Sequence, residues 1–310
     1  MDKKSKKSIV ISLSLITLLV TGRVTVDKLT SNLNTKIISY SKSQEEDINF
    51  VAHRGYSNTY PDNTYEGIVA CNELECINGI EVDVRLTKDN KLILMHNGYV
   101  GLKHVYEYTF EELCNMNLLS SLFSRPILFK GYNFREQSIL AKRYEEGIAN
   151  SYNLCTLEDV LKTRDKSKIL FIDIKFSNYN DDLLMRKIGE LVKGEENIII
   201  QSFDENRLRQ MRELYPSYKY QLLIDSRQGL SSIDYIYDAY GINYNVAAED
   251  VVKDIIEHDK QVSLWTIDSY RDFILLQDEY SEYNEDIYYI TDNPDILGYQ
   301  YSLRKSKRVD

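Results

Sequence analysis

Long apolar runs are scarce in this chain of 310 residues, and so are proline, histidine and tryptophan, with 4, 4 and 1 copies. The longest apolar run near the N-terminus covers residues 9–20, short of the roughly 20 residues that cross a bilayer comfortably. Basic charge is not in excess either. Lys and Arg number 38 against 48 Asp and Glu, a net charge of −10, which excludes a nucleic-acid partner for the body of the chain. The four cysteines, Cys71, Cys76, Cys114 and Cys155, form no CxxC pair and have no histidine at zinc spacing. They read as isolated buried thiols.

What is present begins at the N-terminus. Lys3, Lys4, Lys6 and Lys7 precede the apolar run, and Thr21, Gly22 and Arg23 follow it. A basic stub, a short apolar core and small residues read as an export signal over residues 1–22, either an uncleaved anchor or a signal peptide cut after Gly22. The expectation is therefore a cell-membrane protein with its body outside the cytoplasm, or a secreted one if the signal is cleaved. Residues 23–48 are polar, without a sustained apolar period, and read as a linker. The C-terminal segment 301–310, with "LRKSKR" at 303–308, reads as a solvated basic tail.

Between them, short apolar runs alternate with helix-length amphipathic segments. Strands are expected at 50–54, 79–87, 91–96, 169–176, 197–203, 220–225, 242–246, 262–268 and 287–292. Several are apolar on both faces, as strands covered by helices must be. The segments 204–215 and 248–259 open with acidic residues, which suits helix N-termini. Alternating β and α over about 250 residues predicts an α/β fold, an eight-stranded (β/α)8 barrel over 49–300. The count of nine strands is resolved by "LTKDNKLI", which reads as a hairpin that folds 91–96 back antiparallel beside 82–87. That brings His96 level with Asp83. Residues 98–150 break the rhythm and read as an inserted subdomain after the His96 hairpin.

In such a barrel the reactive groups collect at the C-terminal ends of strands. Polar residues standing in otherwise apolar strands are His53, Arg54, Glu81, Asp83, His96, Asp173 and Lys175. Glu81 and Asp83 are two apart, as are Asp173 and Lys175, so each pair points to one face. Singly, each has a bland reading, such as a satisfied core histidine or an Asp173–Lys175 ion pair. Three carboxylates converging in one barrel mouth repel one another unless a cation sits between them. Oxygen-only ligation suits Mg²⁺ or Ca²⁺.

The series "HRG" at 53–55, "PDNT" at 61–64, "EVDV" at 81–84, "HN" at 96–97, "CTLEDVL" at 155–161, "IDIK" at 172–175, "WTID" at 265–268 and "TDNPD" at 291–295 resembles the glycerophosphodiester phosphodiesterases. The resemblance implies a metal-dependent hydrolase that releases an alcohol and glycerol 3-phosphate. It implies His53 and His96 as the acid/base pair, Arg54 and Lys175 as phosphate contacts, and Glu81, Asp83 and Asp173 as ligands of a divalent cation. It also implies an attack by the substrate's own glycerol hydroxyl. Trp265 reads equally as core or as a wall of the substrate pocket. Gly55 serves a sharp turn, while Pro61, Asp62, Asn63 and Thr64 build a turn and cap the next helix. The chain departs from the family at Asp62 and Asp173, where Glu is usual, and at Asn97, where Asp is usual. Two further readings remain: a lysophospholipase D-like enzyme acting on lysophospholipids, and a catalytically silent barrel that binds phosphodiesters.

Overall fold

The computed structural model describes residues 31–33, 35–37, 48–116 and 153–309. The elements run β1 (Asn49–Ala52), α1 (Tyr65–Ala70), β2 (Gly79–Leu86), β3 (Leu92–Leu94), the small hairpin β4 (Tyr99–Val100) and β5 (Lys103–His104), α2 (Phe110–Cys114) and α3 (Leu157–Thr163). There follow β6 (Ile169–Ile174), α4 (Asp181–Leu191), β7 (Ile198–Ser202), α5 (Glu205–Leu214), β8 (Lys219–Ile224) and α6 (Arg227–Leu230). The chain ends with β9 (Ala239–Asn243), α7 (Glu249–Glu257), β10 (Gln261–Trp265), α8 (Tyr270–Glu279), β11 (Ile287–Thr291) and α9 (Pro294–Val309).

Eight of these strands, β1, β2 and β6 to β11, pair in parallel, and the β1–β2 pairing closes the ring. The sheet thus lacks the free edge that an open sheet would expose. The ninth expected strand is the hairpin partner: β3 runs antiparallel to β2 with Val84 opposite Leu94 and Leu86 opposite Leu92. The register sets Met95 across from Asp83, its amide donating to the Asp83 carbonyl at 2.9 Å. His96 comes one residue later than expected, still at the same barrel mouth.

Side chains alternate along each strand, so the barrel has two apolar layers. Leu170, Ile172 and Ile174 of β6 face the helices, in the large cluster shared with Leu184, Ile188 and Leu208. Phe171 points inward and packs with Val51, Ile199, Tyr288 and Ile290 to plug the barrel floor. Two residues past Val51, Phe171 and Ile199 on the same inward rows stand His53, Asp173 and Gln201, with Glu81 and Asp83 beside them on β2. The fold therefore lays an apolar plug beneath a polar mouth.

One further expectation changes: the sixth barrel strand spans 239–243 rather than 242–246, because its register is fixed by β8 and β10 on either side. The basic segment from 301 continues α9 to Val309, with Leu303, Lys305 and Ser306 exposed and Arg304 donating to Asp278 at 2.7 Å. The linker carries helical turns at 31–33 and 35–37, where Ile37 is buried against Ile296 of α9. Of the inserted segment, 98–116 forms β4, β5 and α2, with its own small core around Ile93, Met95 and Leu113. The remainder, 117–152, and the apolar run at 9–20 lie outside the described residues. No described helix is long and apolar enough to cross a membrane.

Candidate active site

β1 ends at Ala52, and the chain then turns abruptly through two residues of positive φ, Arg54 at 58° and Gly55 at 82°. Gly55 suits the second position, where L-residues are strained. The turn aims the Arg54 amide at Glu81, whose Oε2 accepts at 3.0 Å. It also turns the guanidinium onto Asp62 at 2.9 Å and Asp83 at 3.3 Å. Thr64 caps α1, accepting from the Gly67 amide, as expected. Asn63 does more than shape the turn: its side-chain amide donates to Asp83 Oδ2 at 2.8 Å, and its Oδ1 accepts the Asp83 amide at 3.1 Å.

Glu81, Asp83 and Asp173 are all buried, and each offers an oxygen within 4.8 Å of the others. Strand pairing brings this about, since Asp83 sits opposite Asp173 across the β2–β6 ladder. Lys175, two residues past Asp173, bonds Asp173 at 2.5 Å and Asp83 at 3.0 Å. The electrostatics follow. Burial, together with Asp83 and Asp173, drives the Glu81 carboxyl well above the usual range. Burial likewise pushes Asp173 up to about 6, against the pull of Lys175. Asp83 suffers the same burial, but Lys175 and Arg54 overcome it and hold the carboxyl below its ordinary value. Burial works against the cations too, but the carboxylates together offset it and raise both: Asp83, Asp62 and Glu81 for Arg54, and Asp83, Asp173 and Glu81 for Lys175.

The residues fit a divalent cation. All three donors are hard oxygens, as Mg²⁺ and Ca²⁺ require. The second oxygen of Asp173, Oδ1, is buried with no hydrogen-bond partner among the described residues. An orphaned buried carboxylate oxygen beside two further carboxylates is costly in the absence of a cation.

The histidines flank this cluster. His53 Nδ1 lies 2.8 Å from Asp292 Oδ1, and its Nε2 lies 3.9 Å from Glu81. Among the described residues, the His96 ring has Asn97 Oδ1 at 3.4 Å as its hydrogen-bond partner. Burial, with Arg54 and Lys175 nearby, lowers its pKa to about 4 despite Asp83. Trp265 and Phe203 meet edge to face, centroids 5.4 Å apart, and both line the pocket beside Leu223 and Ile290. The pocket, of about 90 Å³, gathers His53, Arg54, Glu81, Asp83, His96, Asp173 and Lys175 into one place. Every expected site residue thus lines a single cavity. Four contributors were missed: Asp292, Asn63, Gln201, whose amide reaches Glu81 at 3.5 Å, and Phe203. The first two lie inside quoted motifs, yet nothing local reveals which distant partner each will meet.

A closed β/α barrel with a carboxylate trio, two histidines and two paired cations at its mouth has the makings of a phosphoryl-transfer site. Residues 53–295 match the model of the glycerophosphoryl diester phosphodiesterase family, and the chain belongs to that family of phosphoric diester hydrolases. A glycerophosphodiester phosphodiesterase from Caldanaerobacter subterraneus is 30% identical over 181 residues, 56% of this chain. The match spans 65% of that relative's length. Among solved structures, a glycerophosphodiester phosphodiesterase from Parabacteroides distasonis superposes with a TM-score of 0.62 at 23% identity, covering 85% of this chain and 99% of that one. A phosphodiesterase from Oleispira antarctica, solved with the product sn-glycerol-3-phosphate, gives 0.62 at 17% identity, covering 83% and 96%.

Proposed function

We propose that the chain hydrolyses glycerophosphodiesters to an alcohol and glycerol 3-phosphate, with a divalent cation held by Glu81, Asp83 and Asp173. The observation that carries this reading is the convergence of those three buried carboxylates between two histidines. Product-bound sn-glycerol-3-phosphate in the Oleispira structure supports the same substrate class. The cation, when bound, would neutralise the phosphate oxygens and offset the carboxylates' mutual repulsion. Arg54 and Lys175, already fixed by Asp62, Asp83 and Asp173, meet the remaining anionic charge.

The histidines divide the proton work by their surroundings. Among the described residues His96 has no carboxylate in hydrogen-bond contact, and its surroundings hold it neutral, so its ring is the base. It takes the proton of the substrate's glycerol hydroxyl as that oxygen bonds to phosphorus. Asp292 accepts from His53 Nδ1, fixes the ring and stabilises its imidazolium, so His53 is the acid. Its proton passes to the alcohol oxygen as the P–O bond breaks, leaving a cyclic phosphate that water opens with the roles reversed. Phe203, Leu223 and Trp265 offer an apolar wall for the glycerol carbons. The basic stub and apolar run at residues 3–20 support an extracytoplasmic body tethered to the membrane.

Release of glycerol 3-phosphate from a panel of glycerophosphodiesters, with and without chelator, tests the chemistry. Hydrolysis that chelator abolishes and Mg²⁺ or Ca²⁺ restores is the expected result. Undiminished hydrolysis in excess chelator would remove the cation from the scheme, and no hydrolysis at all would leave a silent binding barrel. For location, protease added to intact cells should digest the body of the protein, and full protection until lysis would overturn the orientation.

A further inference from the structure

Beside the main pocket lies a second cavity of about 280 Å³. Lys175 lines both, so the two spaces adjoin. The second is walled by Arg85, Gly98, Tyr99, His104, Tyr106 and Ser177, among others, and no Asp or Glu among the described residues lines it. In a chain with ten more acidic than basic residues, a cavity bearing an arginine and a lysine and no acid is out of keeping with the bulk charge.

Arg85 is the informative residue. It follows Glu81 and Asp83 on the inward row of β2, at the strand's mouth end. Its Nε donates to the Met95 and His96 carbonyls at 3.1 and 3.2 Å, and its Nη2 donates to the His96 carbonyl at 2.6 Å. Nη1 has no hydrogen-bond partner among the described residues. The other two cations differ: Arg54 and Lys175 each pair with two carboxylates. Arg85 makes no salt bridge among the described residues. A half-buried guanidinium held by carbonyls and lining a cavity is preorganised to receive an anion.

The other wall is a stack of rings. His104 lies 4.1 Å from Tyr99 and 4.6 Å from Tyr106, centroid to centroid, and Tyr106 stacks on Tyr179 at 4.4 Å. Such rings could greet a cationic head group. Arg85, the cation of this cavity that no carboxylate pairs with among the described residues, opposes one, and at this range charge repulsion outweighs a ring quadrupole.

We propose that this side cavity is the subsite for the leaving alcohol and selects an alcohol that carries its own anionic group, such as a second phosphodiester one glycerol unit away. This rests on the phosphodiesterase reading above. With the scissile phosphate between Arg54 and Lys175, the alcohol arm extends past Lys175 and its anion meets Nη1 of Arg85.

Three probes give that arm negative, neutral and positive charge: bis(glycerophospho)glycerol, glycerophosphoglycerol and glycerophosphocholine. With the full chain in Mg²⁺, kcat/KM should fall in that order. Arg85→Gln should cut the anionic-to-neutral ratio of kcat/KM roughly 10- to 100-fold, the value of a charge-assisted hydrogen bond. The ratio is the readout because any disturbance of His96 through its carbonyl would slow both substrates alike. Gly98→Asp is the second variant. A Cβ there would stand 3.5 Å from Arg85 Nη1, so the new carboxylate would occupy the guanidinium while the bonds to His96 stay. It should lower the same ratio. A ratio unchanged in both variants, or a preference for glycerophosphocholine, overturns the subsite. Calorimetric binding of bis(glycerophospho)glycerol in chelator separates the two claims. Binding that Arg85→Gln weakens, without hydrolysis in Mg²⁺, sinks the phosphodiesterase reading and leaves the subsite standing. Hydrolysis with no charge preference sinks the subsite alone.

Discussion

The two sides of the barrel mouth handle buried polarity differently. On the side of β1, β2 and β6 the inward residues are ionised or ionisable: Arg54, Glu81, Asp83, Asp173 and Lys175. On the side of β7, β8 and β10 they are neutral. There Ser263 donates to Gln221 at 2.9 Å, Gln221 donates to Gln201 at 2.7 Å, and Gln201 reaches Glu81 at 3.5 Å. The amide relay satisfies itself with geometry alone, and space is reserved for it: a Cβ on Gly241 would lie 2.7 Å from Gln221 Nε2. The charged side cannot satisfy itself. It leaves Asp173 Oδ1 without a partner and Glu81 far above its normal pKa. Neutral networks stabilise a fold, whereas a frustrated cluster of charge waits for a ligand.

The largest effect expected from breaking this contrast is at Asp83. Among the described residues, Asp83→Asn strips one of two counterions from both Arg54 and Lys175, leaving Asp62 and Asp173 to hold them, at a cost of up to about 3–5 kcal/mol. Urea unfolding would measure it, and hydrolysis should vanish with it. A stable, active Asp83→Asn protein would show that the cations do not depend on this residue.

The histidines come next. His53→Ala or His96→Ala should lower kcat about 10²–10⁴-fold. The double replacement should cost little more than the worse single one, because the two act as a unit. His258→Ala, at the exposed C-terminal end of α7 and outside both cavities, is the comparison for stability and turnover. A folded His96→Ala protein with normal turnover would remove the hairpin strand from the site.

On the neutral side, Gln221→Leu should cost about 1–3 kcal/mol in stability by orphaning Gln201 Oε1 and the Ser263 hydroxyl. Its kcat should stay within tenfold of the parent, since no proton or phosphate contact passes through it. A loss as large as that of His96→Ala would mean that the relay tunes Glu81 itself.

The smallest effect is in pH. The Asp173 carboxyl ionises at about 6 in the folded chain against an ordinary 3.8. The folded state therefore holds this proton more tightly than the unfolded state does. Its contribution to stability is fully present below 3.8 and lost as pH rises through 6. Cation-free protein should melt at lower temperature at pH 7.5 than at pH 5.5, and Asp173→Asn should flatten that difference. For the same reason Mg²⁺ binding should weaken below pH 6, as protons compete for the carboxylate.

Much of this was legible in the chain. The β/α rhythm, the hairpin in "LTKDNKLI" and the paired polar residues two apart all come from periodicity. Periodicity is local: side chains alternate along a strand whatever it packs against. That was enough to give the barrel and to put Glu81 with Asp83, and Asp173 with Lys175, on inward rows. Arg85 lay on the same row, two past Asp83, and could have been found by the same rule.

What the chain alone left open was partnership over distance. Asp292 meets His53 across 239 positions, and Asn63 holds Asp83 across 20. Strand β9 begins where β8 and β10 set it rather than where its own alternation starts. Barrel closure decides these, because it fixes each strand's register against two neighbours at once and so determines which inward side chains share a layer. Composition counts three carboxylates and two cations at the mouth. Only the closed ring decides that Arg54 and Lys175 are already engaged while Arg85 faces an acid-free cavity, since hydrogen-bond reach of about 3 Å depends on where strands and loops end in space.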